Sequence, residues 1–160
     1  MRFDLDGLDL FFPYDFLYPE QLTYMLELKR ALDNGRTGGK GHALLEMPTG
    51  TGKTVCLLSL ITSYQRQHPQ VGKLIYCTRT VPEMAKCIEE LKGVMRYREE
   101  TLAKEARKAG GAGAASGDDG FLALTLSSRR NLCIHERVME ESESATVDGL
   151  CRQLTAGWAR

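Results

Sequence analysis

Residues 46–54 read Glu46-Met47-Pro48-Thr49-Gly50-Thr51-Gly52-Lys53-Thr54, or EMPTGTGKT. A short apolar run, His42 to Leu45, precedes them, and Thr54 to Tyr64 (TVCLLSLITSY) follows, apolar on most faces as a helix packed on a sheet would be. The glycines therefore fall where a strand ends and a helix begins. In that position glycines let backbone N–H groups turn inward around phosphate oxygens, Lys53 reaches the β and γ phosphates, and the Thr54 hydroxyl binds magnesium. Pro48, Thr49, Gly50, Thr51 and Gly52 form the cradle, and the helix start adds partial positive charge. The full pattern asks for glycine where Met47 stands. The alternative is a Gly-Thr turn that only reverses the chain, and the Gly-Lys-Thr ending between a strand and a helix weighs against it. Kinases, switches and motors all cradle phosphate, so the loop alone does not name a reaction.

Outward from the loop, strands and helices alternate. Phe3, Leu5, Leu8, Leu10 and Phe12 place apolar side chains around Asp6-Gly7, a tight-turn dipeptide, and predict two short paired strands. Leu22, Met25, Leu28 and Leu32 predict a helix from Pro19 to Leu32, with Asn34-Gly35 as its stop. Leu74 to Cys77 (LIYC) reads as a buried strand, and Thr80-Val81-Pro82-Glu83 as a capping box opening a helix with core face Met84, Ile88, Leu91 and Met95. Phe121 to Leu126 supplies a third strand of the sheet. Crossovers of this kind imply an α/β fold with a mostly parallel sheet and flanking helices. Residues 108–120 (KAGGAGAASGDDG) are too poor in apolar side chains to offset their ordering entropy and are expected to be a disordered loop. No internal repeat is visible.

The chain has 160 residues, about one domain, with 21 Lys plus Arg against 21 Asp plus Glu. It lacks the positive excess of a general phosphate-backbone binder, so any nucleic-acid contact must be local. No export signal or membrane span is indicated, which predicts a soluble intracellular protein with no membrane partner. Five scattered cysteines argue against a disulfide framework and leave reduced thiols or metal ligands.

Four stretches together, YPEQLTYM (Tyr18 to Met25), EMPTGTGKT, YCTRTVPE (Tyr76 to Glu83) and SSRRNLCIH (Ser127 to His135), resemble the N-terminal part of the XPD helicases, the iron-sulfur DNA helicases of superfamily two. The resemblance covers nearly the whole chain except the Ala/Gly-rich loop. It implies a RecA-like, P-loop parallel sheet in residues 1–127, the N-terminal part of motor domain 1, and the incomplete start of an iron-sulfur cluster domain in 128–160. It implies ATP and magnesium as cofactors, with Gln21 recognising adenine and Lys53 and Thr54 in the roles their chemistry already gives them. Thr78, Arg79 and Thr80 resemble the motif that holds the backbone of single-stranded DNA; on the bare sequence they are a capping box and one solvated arginine.

Cys133 and Cys151 resemble the first two of four cysteines that hold a 4Fe-4S cluster in this family. On spacing alone, with 17 residues between them (134–150), they read as two inert buried thiols. A zinc site from Cys133, His135 and Cys151 lacks a visible fourth ligand, and His135 reads as a partly buried structural side chain. Cys56, Cys77 and Cys87 fall within helix or strand patterns and are expected in the core. Arg129 and Arg130 form a solvated basic pair or, with the family's DNA path nearby, a phosphate contact; Arg129 is the candidate DNA-binding or cluster-supporting residue.

The resemblance implies a five-prime to three-prime, ATP-dependent DNA helicase working in the nucleus with the subunits of transcription factor IIH, in nucleotide excision repair and transcription initiation. Hydrolysis also needs an acidic pair and arginines from a second motor domain. No Asp-Glu-Ala-His motif occurs in the sequence, and Asp118-Asp119 lies in the low-complexity loop, so 160 residues are not expected to unwind DNA alone. The alternatives are a truncated nucleotide-binding module without turnover and a small P-loop kinase, the latter without a recognisable acceptor site.

Overall fold

The computed structural model describes residues 1–108 and 121–157, which fall into two compact units, Met1–Phe121 and Leu122–Arg160. The first unit begins with β1 (Arg2–Leu5) and β2 (Leu8–Phe11), antiparallel, with Leu5 opposite Leu8 and Arg2 opposite Phe11. Asp6 (φ +53°) and Gly7 (φ +82°) both take the left-handed region, as a two-residue hairpin turn of this hand requires. Among the described residues the outer edge of β2 meets no third strand. Instead the Phe11 N–H donates to Ser63 Oγ at 3.2 Å and the Asp9 N–H to Gln67 Oε1 at 3.2 Å. Those acceptors lie on α2 (Lys53–Gln67), so a helix side covers an edge that would otherwise invite pairing.

α1 (Pro19–Arg36), α2 and α3 (Val81–Lys108) complete this unit. Met25, Leu58, Leu60, Val94, Leu8 and Leu10 are fully buried at its centre. α2 is the hub; Val55, Cys56, Leu58, Ser59, Leu60, Thr62, Ser63 and Tyr64 are all buried, matching its expected near-uniform burial. A polar knot joins the layers: Lys29 Nζ donates to Asp33 Oδ2 at 2.7 Å and Asp6 Oδ2 at 3.2 Å, and the Tyr64 hydroxyl donates to Asp33 Oδ1 at 2.7 Å.

Several expectations are corrected. α1 runs through Asn34-Gly35 and ends at Arg36, because Asn34 uses its amide to hold the Lys40 carbonyl at 2.8 Å rather than to stop the helix. The core stripe of α3 is Cys87, Leu91, Val94 and Arg98, one position off the Met84, Ile88, Leu91, Met95 face; only Leu91 is shared. Arg98 is buried because Nη1 donates to the Thr62 carbonyl at 3.2 Å and the guanidinium lies over the Phe121 ring at 5.7 Å. Most consequentially, 42–45, 74–77 and 121–126 form no strands, and the only sheet among the described residues is the antiparallel hairpin. Leu44, Ile75, Leu122, Leu124 and Leu126 stand largely in solvent. A parallel strand is held by ladders to neighbours, and none of these segments has one in place. Cys77 is exposed for the same reason, while Cys56 and Cys87 are buried as expected.

The second unit holds α4 (Arg129–Leu132), α5 (Glu136–Met139) and α6 (Ser144–Thr155) around buried Val138 and Val147. His135 is exposed at the start of α5, where its carbonyl accepts the Val138 and Met139 N–H groups, so the expected partial burial of its side chain is corrected. The expected disordered loop falls, beyond Lys108, on residues 109–120, outside the described residues. Among the described residues no helix is long and apolar enough to cross a membrane.

Candidate nucleotide site

The loop 47–54 closes on itself through backbone carbonyls. Lys53 Nζ donates to the Met47 and Pro48 carbonyls at 2.7 and 2.9 Å, and Thr51 Oγ1 donates to the Pro48 carbonyl at 2.6 Å. Gly50 (φ +80°) and Gly52 (φ +77°) make the turn, conformations that side chains resist. Gly52 is the N-cap of α2 and gives it no side-chain cap, so the first amides of that helix, with their partial positive charge, face the loop. Binding a phosphate here requires Lys53 to exchange two carbonyls for phosphate oxygens, a swap of one set of acceptors for a more strongly charged one. Met47, at the position where the pattern asks for glycine, is buried in the core cluster.

The loop opens onto a cleft of about 510 Å³ that also collects Gln21 from α1, the aromatic stretch before α1, and Lys86 and Glu90 from α3. Of the predicted nucleotide residues, Gln21, Gly50, Thr51, Gly52, Lys53 and Thr54 line it together; Pro48 and Thr49 lie exposed on the loop. Gln21 is buried, with both ends of its amide bonded. Oε1 accepts the Tyr18 N–H at 2.9 Å and Nε2 donates to the Thr51 carbonyl at 2.8 Å. The half-buried Thr54 hydroxyl fits one oxygen of a magnesium shell, the others being left to phosphate and water. A single loop thus offers backbone amides, an ammonium and a hydroxyl to one ligand. The cleft-lining rings Phe12, Tyr14, Phe16 and Tyr18, together with Lys86 and Glu90, escape the sequence reading; the available signal is the aromatic at every second position before Gln21.

Thr78, Arg79 and Thr80 are not among the cleft's lining residues and cluster at the start of α3. The capping box is present in both directions: Thr80 Oγ1 accepts the Glu83 N–H at 3.4 Å and Glu83 Oε2 accepts the Thr80 N–H at 3.1 Å. The Thr80 hydroxyl foremost, then both backbone amides and Arg79, hold the Glu83 carboxyl below its usual range. Arg79 is exposed, 3.6 Å from Glu83, and Thr78 Oγ1 donates to the Thr80 carbonyl at 3.2 Å.

In the second unit Cys133 caps α4, with its N–H bonded to the Arg129 carbonyl at 2.8 Å, and Cys151 lies on α6. Both thiols are half-buried and free. Among the described residues no three His, Cys, Asp or Glu side chains gather as a metal site; a 4Fe-4S cluster needs four thiolates, of which the resemblance assigns Cys133 and Cys151. Arg129 lies 3.5 Å from Asp148, and Arg130 Nη1 donates to the Ser142 carbonyl at 2.6 Å; these contacts tie α4 to the rest of its unit.

Residues 76–160 match the DEAD_2 family and residues 16–115 the type III restriction enzyme res subunit family. Over its whole length the chain is 49% identical to the "General transcription and DNA repair factor IIH helicase subunit XPD" of Dictyostelium discoideum, and 48% identical to the proteins so named of Schizosaccharomyces pombe and Arabidopsis thaliana. It spans only 18 to 19% of the length of those relatives.

Proposed function

Because this chain belongs to the XPD-type DEAD_2 helicases, we propose that it supplies the nucleotide-binding end of an ATP-dependent DNA helicase running five-prime to three-prime on single-stranded DNA. The observation that carries the reading is the convergence of Gln21 with Gly50 to Thr54 on one cleft. Magnesium, when bound there, neutralises charge developing on the transferred phosphoryl group. Lys53 then holds the terminal phosphates, the amides of Gly50 to Thr54 fix their orientation, and Gln21, which docks the loop on α1, recognises adenine. The acidic pair and arginine that complete hydrolysis come from other parts of the intact protein, since this sequence has no Asp-Glu-Ala-His box.

In this reading residues 1–127 are the N-terminal part of motor domain 1, and 42–45, 74–77 and 121–126 enter a RecA-like parallel sheet once neighbouring strands join. Residues 128–160 open the iron-sulfur domain, with Cys133 and Cys151 as two of four ligands to a 4Fe-4S cluster. Thr78, Arg79 and Thr80 bind the DNA backbone, to which exposed Arg79 offers a guanidinium, and Arg129 supports that path or the cluster. The names of the relatives support a place among the transcription factor IIH subunits, in the nucleus, in excision repair and transcription. Strand displacement by the intact protein on forked substrates of either polarity tests the reading. ATP-dependent opening from a five-prime tail is expected, and ATP turnover indifferent to single-stranded DNA overturns it.

A further inference from the structure

Glu83 stands beside Thr78, Arg79 and Thr80, yet the DNA reading gives it no part. Its carboxylate is held three ways by that segment. Oε2 accepts the Arg79 N–H at 3.2 Å and the Thr80 N–H at 3.1 Å, and Oε1 lies 3.6 Å from Arg79 Nη2. Both partners face water, the Arg79 side chain 87% and the Glu83 side chain 48% exposed. Among the described residues no other acid pairs with Arg79. The cap at the start of α3 asks only for an acceptor oxygen, which glutamine supplies as well as glutamate. The negative charge is therefore surplus to the cap, and it sits against the one guanidinium of the segment. A guanidinium paired with a carboxylate must release it to take a phosphate oxygen, or be shared between two anions that repel each other. The Thr80 hydroxyl foremost keeps the Glu83 carboxyl below its usual range, so the counter-ion remains charged at neutral pH.

We propose that Glu83 is a built-in counter-charge to Arg79, which holds the guanidinium while DNA is absent, yields it to a backbone phosphate of single-stranded DNA, and so lowers the affinity for the strand. The inference rests on the reading of Thr78 to Thr80 as a DNA-backbone contact, and the test separates the two. In the intact protein without nucleotide, binding of a fluorescent single-stranded oligonucleotide is measured across a range of salt for the parent, Arg79→Ala, Glu83→Gln and the double variant. Glu83→Gln is expected to tighten binding about threefold at low salt, within the range open to an exposed ion pair, and the gain is expected to shrink as salt rises. Arg79→Ala is expected to weaken binding, and Glu83→Gln to add nothing further in that background. If Glu83→Gln binds like the parent or more weakly while Arg79→Ala loses affinity, the counter-charge is refuted and the DNA contact stands. A gain of equal size with and without Arg79 also refutes it, because the charge would then act on the strand directly rather than through the pair. If Arg79→Ala binds DNA like the parent, the DNA reading of this segment fails and the proposal falls with it. A merely structural Glu83 would lose affinity on substitution rather than gain it. Because glutamine keeps the acceptor of the cap, a parent-like circular dichroism spectrum for Glu83→Gln separates loss of charge from loss of fold.

Discussion

The Gln21 side chain donates to the Thr51 carbonyl at 2.8 Å, joining the first turn of α1 to the centre of the phosphate loop. Its other end accepts the Tyr18 N–H at 2.9 Å, so one buried amide spans two backbone segments far apart in the chain, at Tyr18 and Thr51. Gln21→Ala strands the partly buried Thr51 carbonyl and Tyr18 amide, which costs about 1 kcal/mol. Faster amide exchange at Thr51 to Thr54 without nucleotide is expected, together with weaker ATP binding. Unchanged exchange in the loop would remove the strut role.

Lys53→Ala deletes the ammonium that fills the loop. ATP turnover in the intact protein is expected to fall by at least about a hundredfold, the scale seen when one preorganised charge-stabilising donor is lost. The circular dichroism spectrum stays that of the parent, since the loop lies at the surface. Normal turnover in this variant refutes the assigned role.

Asp33 gives a pH dependence of known sign. Burial works to raise its pKa, but bonds from Lys29 and Tyr64 outweigh it and leave the carboxyl below its ordinary 3.8. Its contribution is therefore fully present above pH 3.8 and is lost as pH falls through the lowered native value. Protection of the α1 and α2 amides, taken relative to their intrinsic exchange rate, should fall below about pH 4 in the parent. In Asp33→Asn that acid limb flattens and exchange is faster already at pH 7. A variant with the parent's acid limb would assign the effect to another carboxylate.

For the second unit, Cys133→Ser in the intact protein is expected to abolish the visible iron-sulfur absorption and lower bound iron, whereas Cys87→Ser leaves both unchanged. Retention of the full spectrum by Cys133→Ser would exclude it as a ligand.

The remaining thiols report on the sheet. Cys56 is fully buried and burial pushes its thiol up to about 11, while Cys77 is exposed. In the 160-residue chain a disulfide reagent should label Cys77 early and Cys56 last. In the intact protein Cys77 should slow markedly if 74–77 enters a buried strand, and equal rates in both forms would deny that it does.

What the sequence makes legible is local. Asp6-Gly7 declares its hairpin because two adjacent residues must take positive φ, and EMPTGTGKT declares its loop because glycine, lysine and threonine each do chemistry at a fixed offset. The parallel sheet is not local: LIYC carries the composition of a strand, but only a neighbour can make it one, and Ile75 remains in water without it. The face of α3 is also misread, since two apolar stripes one residue apart compete and the buried stripe includes Arg98, a residue that composition assigns to solvent. The aromatic rings beside the cleft are visible in the letters at positions 12, 14, 16 and 18, yet nothing in them says which ring stays exposed.

Met47 belongs to two structures at once. Its side chain lies in the core cluster while its carbonyl accepts from Lys53, so the upstream end of the phosphate loop is nailed to the protein interior. Glycine at this position would leave a swivel; methionine makes an anchor. Whatever rearrangement accompanies ligand exchange must then be confined to the links after it, from Pro48 to Gly52, and the travel available to the loop is set by five residues rather than by the whole strand-to-helix passage.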